Sequence, residues 1–444
     1  MRTLIKDIIG KEGESVELMG WVDARRDHGK LIFIDLRDRS GIAQVVFLPS
    51  NKEAGELAKD LRFQWVVKLS GKVSRRPKNM INLEIETGEF EVAAESLEIL
   101  SRAEEIPFDP AAEISLETFL DWQPFALRTE KSRNIFKIQA EIVRAFRNFL
   151  IEKEFVEVQV PKIVAQVTEG GANVFKLDYF DSKAYLAQSP QFYKQIMVGI
   201  FERVFTIGNV YRAEEHSTTR HLNEYTSLDL EFGFIEDHSD VMDLENELLV
   251  YIMDHLKKTC AREFKFFNFE IPKVPQKIPA IKLREAQKIL KEKYGIDCQN
   301  EPDLEPSHER QICEYAKKEF GSDFIFITHY PVEKRPFYTF PDKDDLGYTK
   351  SFDLLFRGIE ITTGGQRIHD YQMLVENIKK WKIDPEKFSF YLQAFKYGMP
   401  PEGGLAIGLE RLTQKILNLE NVREAALFPR DMNRIDILLS SLKK

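Results

Sequence analysis

Residues 204–234 constrain this chain most. Two apolar segments with strand-like alternation, residues 204–211 and 225–234, flank a polar loop carrying Arg212, Glu214, His216, Arg220 and His221. Side chains on a strand repeat every second residue, so Tyr225, Ser227, Asp229 and Glu231 share one face of the second segment. Carboxylates, a hydroxyl and an aromatic ring beside two arginines make poor core. They suit a ligand that carries phosphate, an amine and a ring to stack.

The chain around this stretch divides in two. Residues 16–100 read as five short strands with one helical interruption at 54–61, the count of a small Greek-key barrel of the OB type. Such barrels bind single-stranded nucleic acid through aromatic stacking and basic groups, and Phe33, Arg25, Arg26 and Gln44 could serve. Taken singly, Phe33 fits core better, and the Arg25–Arg26 pair fits a solvated edge. Residues 101–130, with Pro107, Pro110 and Pro124 among acidic and small residues, read as a linker or hinge. From residue 131 the pattern becomes α+β: a mainly antiparallel sheet flanked by helices, with a small insertion around 261–345 to which only packing is assigned. Its first helix places Ile135, Ile138, Ile142, Val143, Phe146, Phe149 and Leu150 on one stripe.

Composition excludes some classes. A net charge of −9 argues against indiscriminate nucleic-acid binding but permits a local basic footprint. No run approaches the roughly 18 apolar residues of a membrane helix, and the N-terminus has no secretory pattern. Three dispersed cysteines indicate neither disulfides nor zinc. A cytoplasmic setting without membrane attachment is expected.

Four further motifs stand out. Arg212 and Glu214 close a strand, where a guanidinium fork can hold a phosphate and a carboxylate. G-G-L-A-I-G-L-E-R-L at 403–412 puts glycines where something approaches the backbone closely, with Arg411 opening a helix. G-I-E-I-T-T-G-G-Q-R at 358–367 offers Glu360 and Thr363, hard oxygen ligands suited to Mg²⁺, with Thr363 opening a turn ahead of Arg367. Q-S-P-Q-F-Y-K-Q at 188–195 carries Lys194 one turn into a helix, and V-T-E-G-G at 167–171 puts Glu169 in a flexible loop. Each alone has a bland reading: a surface ion pair, a glycine-rich strand on a helix, a solvent-facing lysine, an ordinary turn.

Together they resemble one family. The helix and strand ending at Pro161 look like motif 1 of the class II aminoacyl-tRNA synthetases. Y-R-A-E…R-H-L-N-E-Y-T-S-L-D-L-E-F looks like motif 2, and G-G-L-A-I-G-L-E-R-L like motif 3. The N-terminal barrel places the chain with the subgroup charging aspartate, asparagine or lysine. Q-S-P-Q-F-Y-K-Q, V-T-E-G-G and E-I-T-T-G-G-Q-R are similar to the aspartyl enzymes of compact archaeal/eukaryotic type. The resemblance implies ATP-dependent activation of L-aspartate and its transfer to the 3′ end of tRNA-Asp by a homodimer.

By that resemblance Arg212 and Arg411 are catalytic. The nucleotide falls to Arg212, Ala213, Glu214, Arg220, His221, Leu222 and Tyr225, and to Glu360 with Gly408, Leu409, Glu410 and Arg411. Aspartate falls to Glu169, Gln191, Phe192, Tyr193 and Lys194, with Arg212, Asp229, Thr363 and Arg367. Glu360 and Thr363 would hold Mg²⁺, and Arg26, Phe33 and Gln44 would meet the anticodon. Lys194 favours aspartate over asparagine. Asp23 and Met80 stand where the archaeal pattern has other residues, which leaves charging of tRNA-Asn open. The rival readings are a paralogue that binds nucleic acid or regulates without aminoacylating, and an amidating enzyme working through an adenylate. The intact Arg212, Arg411 and Glu360 weigh against the first, and the barrel against the second.

Overall fold

The computed structural model describes residues 1–106, 108, 112, 114–167, 173–437, 439 and 441. It comprises two compact units, Met1–Ala112 and Glu113–Lys444. Among the described residues no helix is long and apolar enough to cross a membrane.

The first unit is a closed barrel of β1 (Ser15–Asp27), β2 (Ile32–Arg37), β3 (Ile42–Phe47), β4 (Val66–Arg75) and β5 (Phe90–Ser101), in the order β1-β2-β3-β5-β4. Alternation builds it. Ile32, Ile34 and Leu36 of β2 point inward with Val16, Leu18, Val45, Val67 and Val92, while Phe33 and Asp35 point outward. Phe33 is therefore not core, the better reading of that residue on its own.

The second unit is built on an eight-stranded sheet. Its strands are β6 (Val156–Glu157), β10 (Arg203–Tyr211), β11 (Glu224–Gly233), β12 (Ala280–Lys282), β13 (Phe324–Thr328), β14 (Ser351–Phe356), β15 (Ile359–Arg367) and β16 (Glu402–Gly408). They run in the order β12-β13-β14-β15-β16-β11-β10-β6, antiparallel except for the two end pairs. A small sheet of β7 (Ile163–Val164), β9 (Ser182–Leu186) and β8 (Lys176–Tyr179) accompanies it.

One face of the large sheet is core and the other is cleft. The helix Glu130–Glu152, capped by the Thr129 side chain, buries Ile135, Ile138, Ile142, Phe146, Phe149 and Leu150 in one cluster with Phe205, Leu228, Leu230, Leu405 and Ile407. Each fully buried side chain of this size contributes about 1.5–3 kcal/mol. Val143 of the same stripe packs at the cluster's margin. In β11, Leu228, Leu230 and Phe232 enter this core, so Ser227, Asp229 and Glu231 must face the other way.

Two expectations change here. Residues 101–130 are not one linker: helices Leu116–Asp121 and Gln123–Ala126 form in the second half. Pro124 sits in the first turn of the latter, where a missing N–H is harmless, so it begins a helix instead of breaking one. Pro107 and Pro110 lie outside the described residues. The stretch 261–345 is more than packing. Its β12 and β13 complete one edge of the main sheet, and its helix Pro306–Phe320 carries Glu309 to the cleft.

Candidate active site

A cleft of about 420 Å³ opens on the polar face, lined among others by Arg212, Glu214, Arg220, His221, Tyr225, Glu360 and Arg411. A second hollow of about 250 Å³ shares Arg212, Glu360, Thr363 and Ala406 with it and reaches Gln191, Lys194 and Arg367. The two form one site with two ends.

At the first end the loop after β10 is fixed through Asn223. Its side chain donates to the carbonyls of Arg212 (2.6 Å) and Glu214 (3.0 Å), and its own carbonyl accepts the Arg212 N–H at 2.9 Å. The Arg212 guanidinium lies 5.8 Å from the centroid of the Tyr225 ring. Arg220 donates to Glu309 at 2.9 Å, and Arg411 donates to the carbonyls of Arg220 (3.2 Å) and Glu360 (3.0 Å). Three guanidinium groups thus converge on one wall, an arrangement suited to a polyphosphate. Burial, with Arg411 and Arg220 nearby, pushes His221 down to about 4, so its ring is neutral at pH 7.

Between the ends lies an oxygen cluster. T-T-G-G-Q-R is strand, not turn, because β15 runs on to Arg367. Opposite Leu354 and Leu355 of β14 the register shifts by one, leaving Ile361 of β15 as the extra residue of a bulge, so Glu360 and Thr363, three apart, come to one face. Thr363 Oγ1 donates to Glu360 at 2.9 Å. Burial opposes ionisation of Glu360, but Arg411 and the Thr363 hydrogen bond outweigh it and hold the carboxyl below its ordinary range. Asp353, directly across from Thr363, adds a second carboxylate. Arg335 lies 2.7 Å from its Oδ2, while Oδ1 is buried without a hydrogen-bond partner. Burial lifts this carboxyl to about 6, against the pull of Arg335. Two carboxylates, one of them with an orphaned oxygen, and a hydroxyl fit a hard divalent cation such as Mg²⁺.

The second end is a buried ion network. Lys194 Nζ lies 3.0 Å from Asp229, 3.0 Å from Glu231 and 3.1 Å from the Leu405 carbonyl, and its side chain is 1% exposed. Arg367 donates to Glu231 at 2.7 Å and to the Gly404 carbonyl at 3.0 Å, with its guanidinium 5.8 Å from the Tyr338 ring centroid. Gln191 donates to Glu231 at 3.4 Å. Gly404 is glycine for this reason: a Cβ there would stand 2.3 Å from a Glu231 carboxylate oxygen and 2.2 Å from the Leu230 carbonyl. What approaches that backbone is the protein's own carboxylate. Burial, then Glu231, pushes the neighbouring Glu402 carboxyl well above the carboxylate range.

Several expected site residues stand elsewhere. Phe192 packs among Phe337, Phe388 and Tyr391, and Tyr193 turns to the same apolar side, because the helix Gln191–Phe201 presents only Gln191 and Lys194 to the cleft. Leu409 belongs to the core on the opposite sheet face. Glu410 lines the cleft but spends both oxygens on the Thr226 N–H, at 3.0 and 3.1 Å. Ala213 donates its N–H to Asn173 at 2.8 Å. Glu169 lies outside the described residues. Leu222 and Gly408 line the cleft.

On the barrel, Arg26 pairs with Asp35 at 2.6 and 2.7 Å and reaches Gln44 at 3.4 Å, while Gln44 donates to Glu91 at 2.8 Å. Arg26 and Phe33 are cross-strand partners, as are Asp35 and Gln44, so all share the outer face. The ring of Phe33 meets His28 edge-on at 5.7 Å. Asp23 is engaged by Arg37 at 2.9 Å, and Met80 is exposed.

Residues 115–432 match the tRNA synthetases class II (D, K and N), and residues 16–100 match the OB-fold nucleic acid binding domain. The chain belongs to the class II tRNA synthetases and carries an N-terminal OB-fold domain. It is 48% identical over 443 residues to the aspartate–tRNA(Asp/Asn) ligase of Deinococcus radiodurans, covering 98% of each chain. The enzyme of the same name from Thermus thermophilus is 47% identical over 435 residues, 98% of this chain and 100% of that one. Within the class, its family is that of the aspartate–tRNA ligases. Among solved structures, asparaginyl-tRNA synthetase from Pyrococcus horikoshii complexed with asparaginyl-adenylate superposes with a TM-score of 0.90 at 32% identity, over 98% of this chain and 99% of that one. Enzymes of this class use ATP and Mg²⁺.

Proposed function

We propose that this aspartate–tRNA ligase activates L-aspartate with ATP to aspartyl-adenylate at the cleft described above, and charges both tRNA-Asp and tRNA-Asn. The α-carboxylate of aspartate attacks the α-phosphate of ATP and pyrophosphate leaves. The nucleophile is already ionised, so positioning and charge neutralisation do the catalysis. Arg212 holds the α-phosphate and the attacking carboxylate, Tyr225 stacks on the adenine, and Arg220 and Arg411 hold the outer phosphates. Glu360, Thr363 and Asp353 would hold Mg²⁺, which offsets phosphate charge when bound. Lys194 and Arg367 take the side-chain carboxylate, and Asp229, whose Oδ2 is buried without a hydrogen-bond partner, receives the substrate ammonium. The observation that carries this reading is the pair of buried cations at the far end of an arginine-walled cleft.

Charging of tRNA-Asn as well is supported by the names of the two relatives. Arg26, Phe33 and Gln44 form the anticodon-facing patch. A homodimer through the helix and strand that end at Pro161 is supported by the exposed apolar side chains of Ile151 and Val156 there. Charging of separate tRNA-Asp and tRNA-Asn transcripts with labelled aspartate tests transfer and tRNA choice. Label on neither transcript refutes the function, and label on tRNA-Asp alone refutes the dual charging.

A further inference from the structure

Lys162 directly follows Pro161, and its side chain runs over the cleft face of β10. A Cβ built on Gly208 would stand 3.2 Å from both Cε and Nζ of Lys162, so this glycine leaves the room the ammonium occupies. Gly208 pairs with Ser227, and Thr206 with Asp229, so the ammonium lies over the strand pair that carries the amino-acid end of the site. Among the described residues its nitrogen is buried without a hydrogen-bond partner. Burial pushes it below the ordinary lysine range, and Asp229 opposes that.

An unpaired buried ammonium is costly unless something compensates for it. The charges of the site supply the reason to keep it. Lys194 and Arg367 are matched by Asp229 and Glu231 at 2.7–3.0 Å, and burial pushes the adjacent Glu402 carboxyl well above the carboxylate range. These built-in charges cancel, whereas free aspartate carries a net charge of about −1 at pH 7 and asparagine none. Lys194 and Arg367 still offer local charge-assisted donors to a side-chain carboxylate, and a further cation nearby adds to that preference.

We propose that Lys162 is a positioning residue for amino-acid selection: its ammonium, seated over Gly208, acts through Asp229 and Ser227 to give the pocket the positive excess that favours a dicarboxylic amino acid over its amide. This rests on the aspartate reading given above. The role differs from that of Lys194 and Arg367, which touch the substrate.

The test is ATP–pyrophosphate exchange by the full chain carrying Lys162→Met, Lys162→Gln or Lys162→Arg, with aspartate, asparagine and ATP varied in turn. For the Met and Gln variants the KM for aspartate should rise about tenfold, the size of a partly screened charge effect. Their kcat and KM for ATP should stay near wild type, and preference for aspartate over asparagine should fall by the same factor. Lys162→Arg should recover most of that preference. An unchanged KM for aspartate in both neutral variants, or an equal rise in the KM for ATP, overturns the role of Lys162 alone. Failure of the wild type to activate aspartate overturns the reading beneath it.

Discussion

Lys194 Nζ stands 3.0 Å from Glu231 Oε2, and the two side chains are 1% and 0% exposed. Asp229 and the Leu405 carbonyl occupy the other two directions around the ammonium. Removing the cation strands two carboxylates away from water, and breaking a buried pair in this way costs about 3–5 kcal/mol. Lys194→Met should therefore lose aspartate activation and also unfold at lower denaturant, measured by urea titration beside pyrophosphate exchange. A variant of unchanged stability would contradict the buried network.

Gly404 carries the matching steric requirement. Gly404→Ala drives a methyl into the Glu231 carboxylate and the Leu230 carbonyl, at a cost of about 3 kcal/mol or more. Its KM for aspartate should rise well above any change in that for ATP.

The oxygen cluster predicts the metal dependence. Glu360→Gln and Asp353→Asn should each lower kcat for activation by roughly a hundredfold or more. Each should also raise the Mg²⁺ concentration giving half-maximal rate, read from Mg²⁺ titrations at saturating ATP. If Asp353→Asn shifts neither quantity, the carboxylate across from Thr363 has no part in the metal site.

Glu245, in the helix His238–Thr259, is fully buried beside Thr362, and burial lifts its carboxyl to about 8. The folded state therefore keeps a proton that the unfolded chain releases near the ordinary value of about 4.3. Stability from this group is fully present below the unfolded value and is lost as pH rises toward 8, by up to about 1.4 kcal/mol per pH unit. Glu245→Gln removes that slope. The difference in unfolding free energy between variant and wild type should move in favour of the variant from pH 5 to pH 8, as followed by urea unfolding at several pH values.

The barrel patch predicts a separable effect. Arg26→Ala frees Asp35 and removes a cation beside Phe33. The KM for tRNA should rise about tenfold while pyrophosphate exchange is unchanged. A loss of exchange would place Arg26 outside tRNA binding.

How much of this was legible beforehand varies with the kind of signal. The two-residue period of β11 was enough to separate Leu228 and Leu230 from Asp229 and Glu231, because a strand has only two faces. The resemblance named Phe192 and Tyr193 beside Lys194, yet both turn to an apolar hollow: motif membership says nothing about which side of a short helix meets the ligand. Asp353 was hidden inside S-F-D-L-L-F, an apolar run whose one acid gains meaning only when a bulge in the neighbouring pair brings Thr363 opposite it. Glu309 was harder still, since it reaches Arg220 from 89 positions away along the chain. The linker reading failed on Pro124, since proline starts helices as well as interrupting them.

The central claim is that the buried Lys194–Arg367 pair selects an acidic amino acid, and ATP–pyrophosphate exchange with aspartate and asparagine in separate reactions tests it most directly. Exchange should run with aspartate and be near background with asparagine, since the amide leaves charge-assisted donors unmatched. Equal rates with the two amino acids would contradict the role given to Lys194 and Arg367.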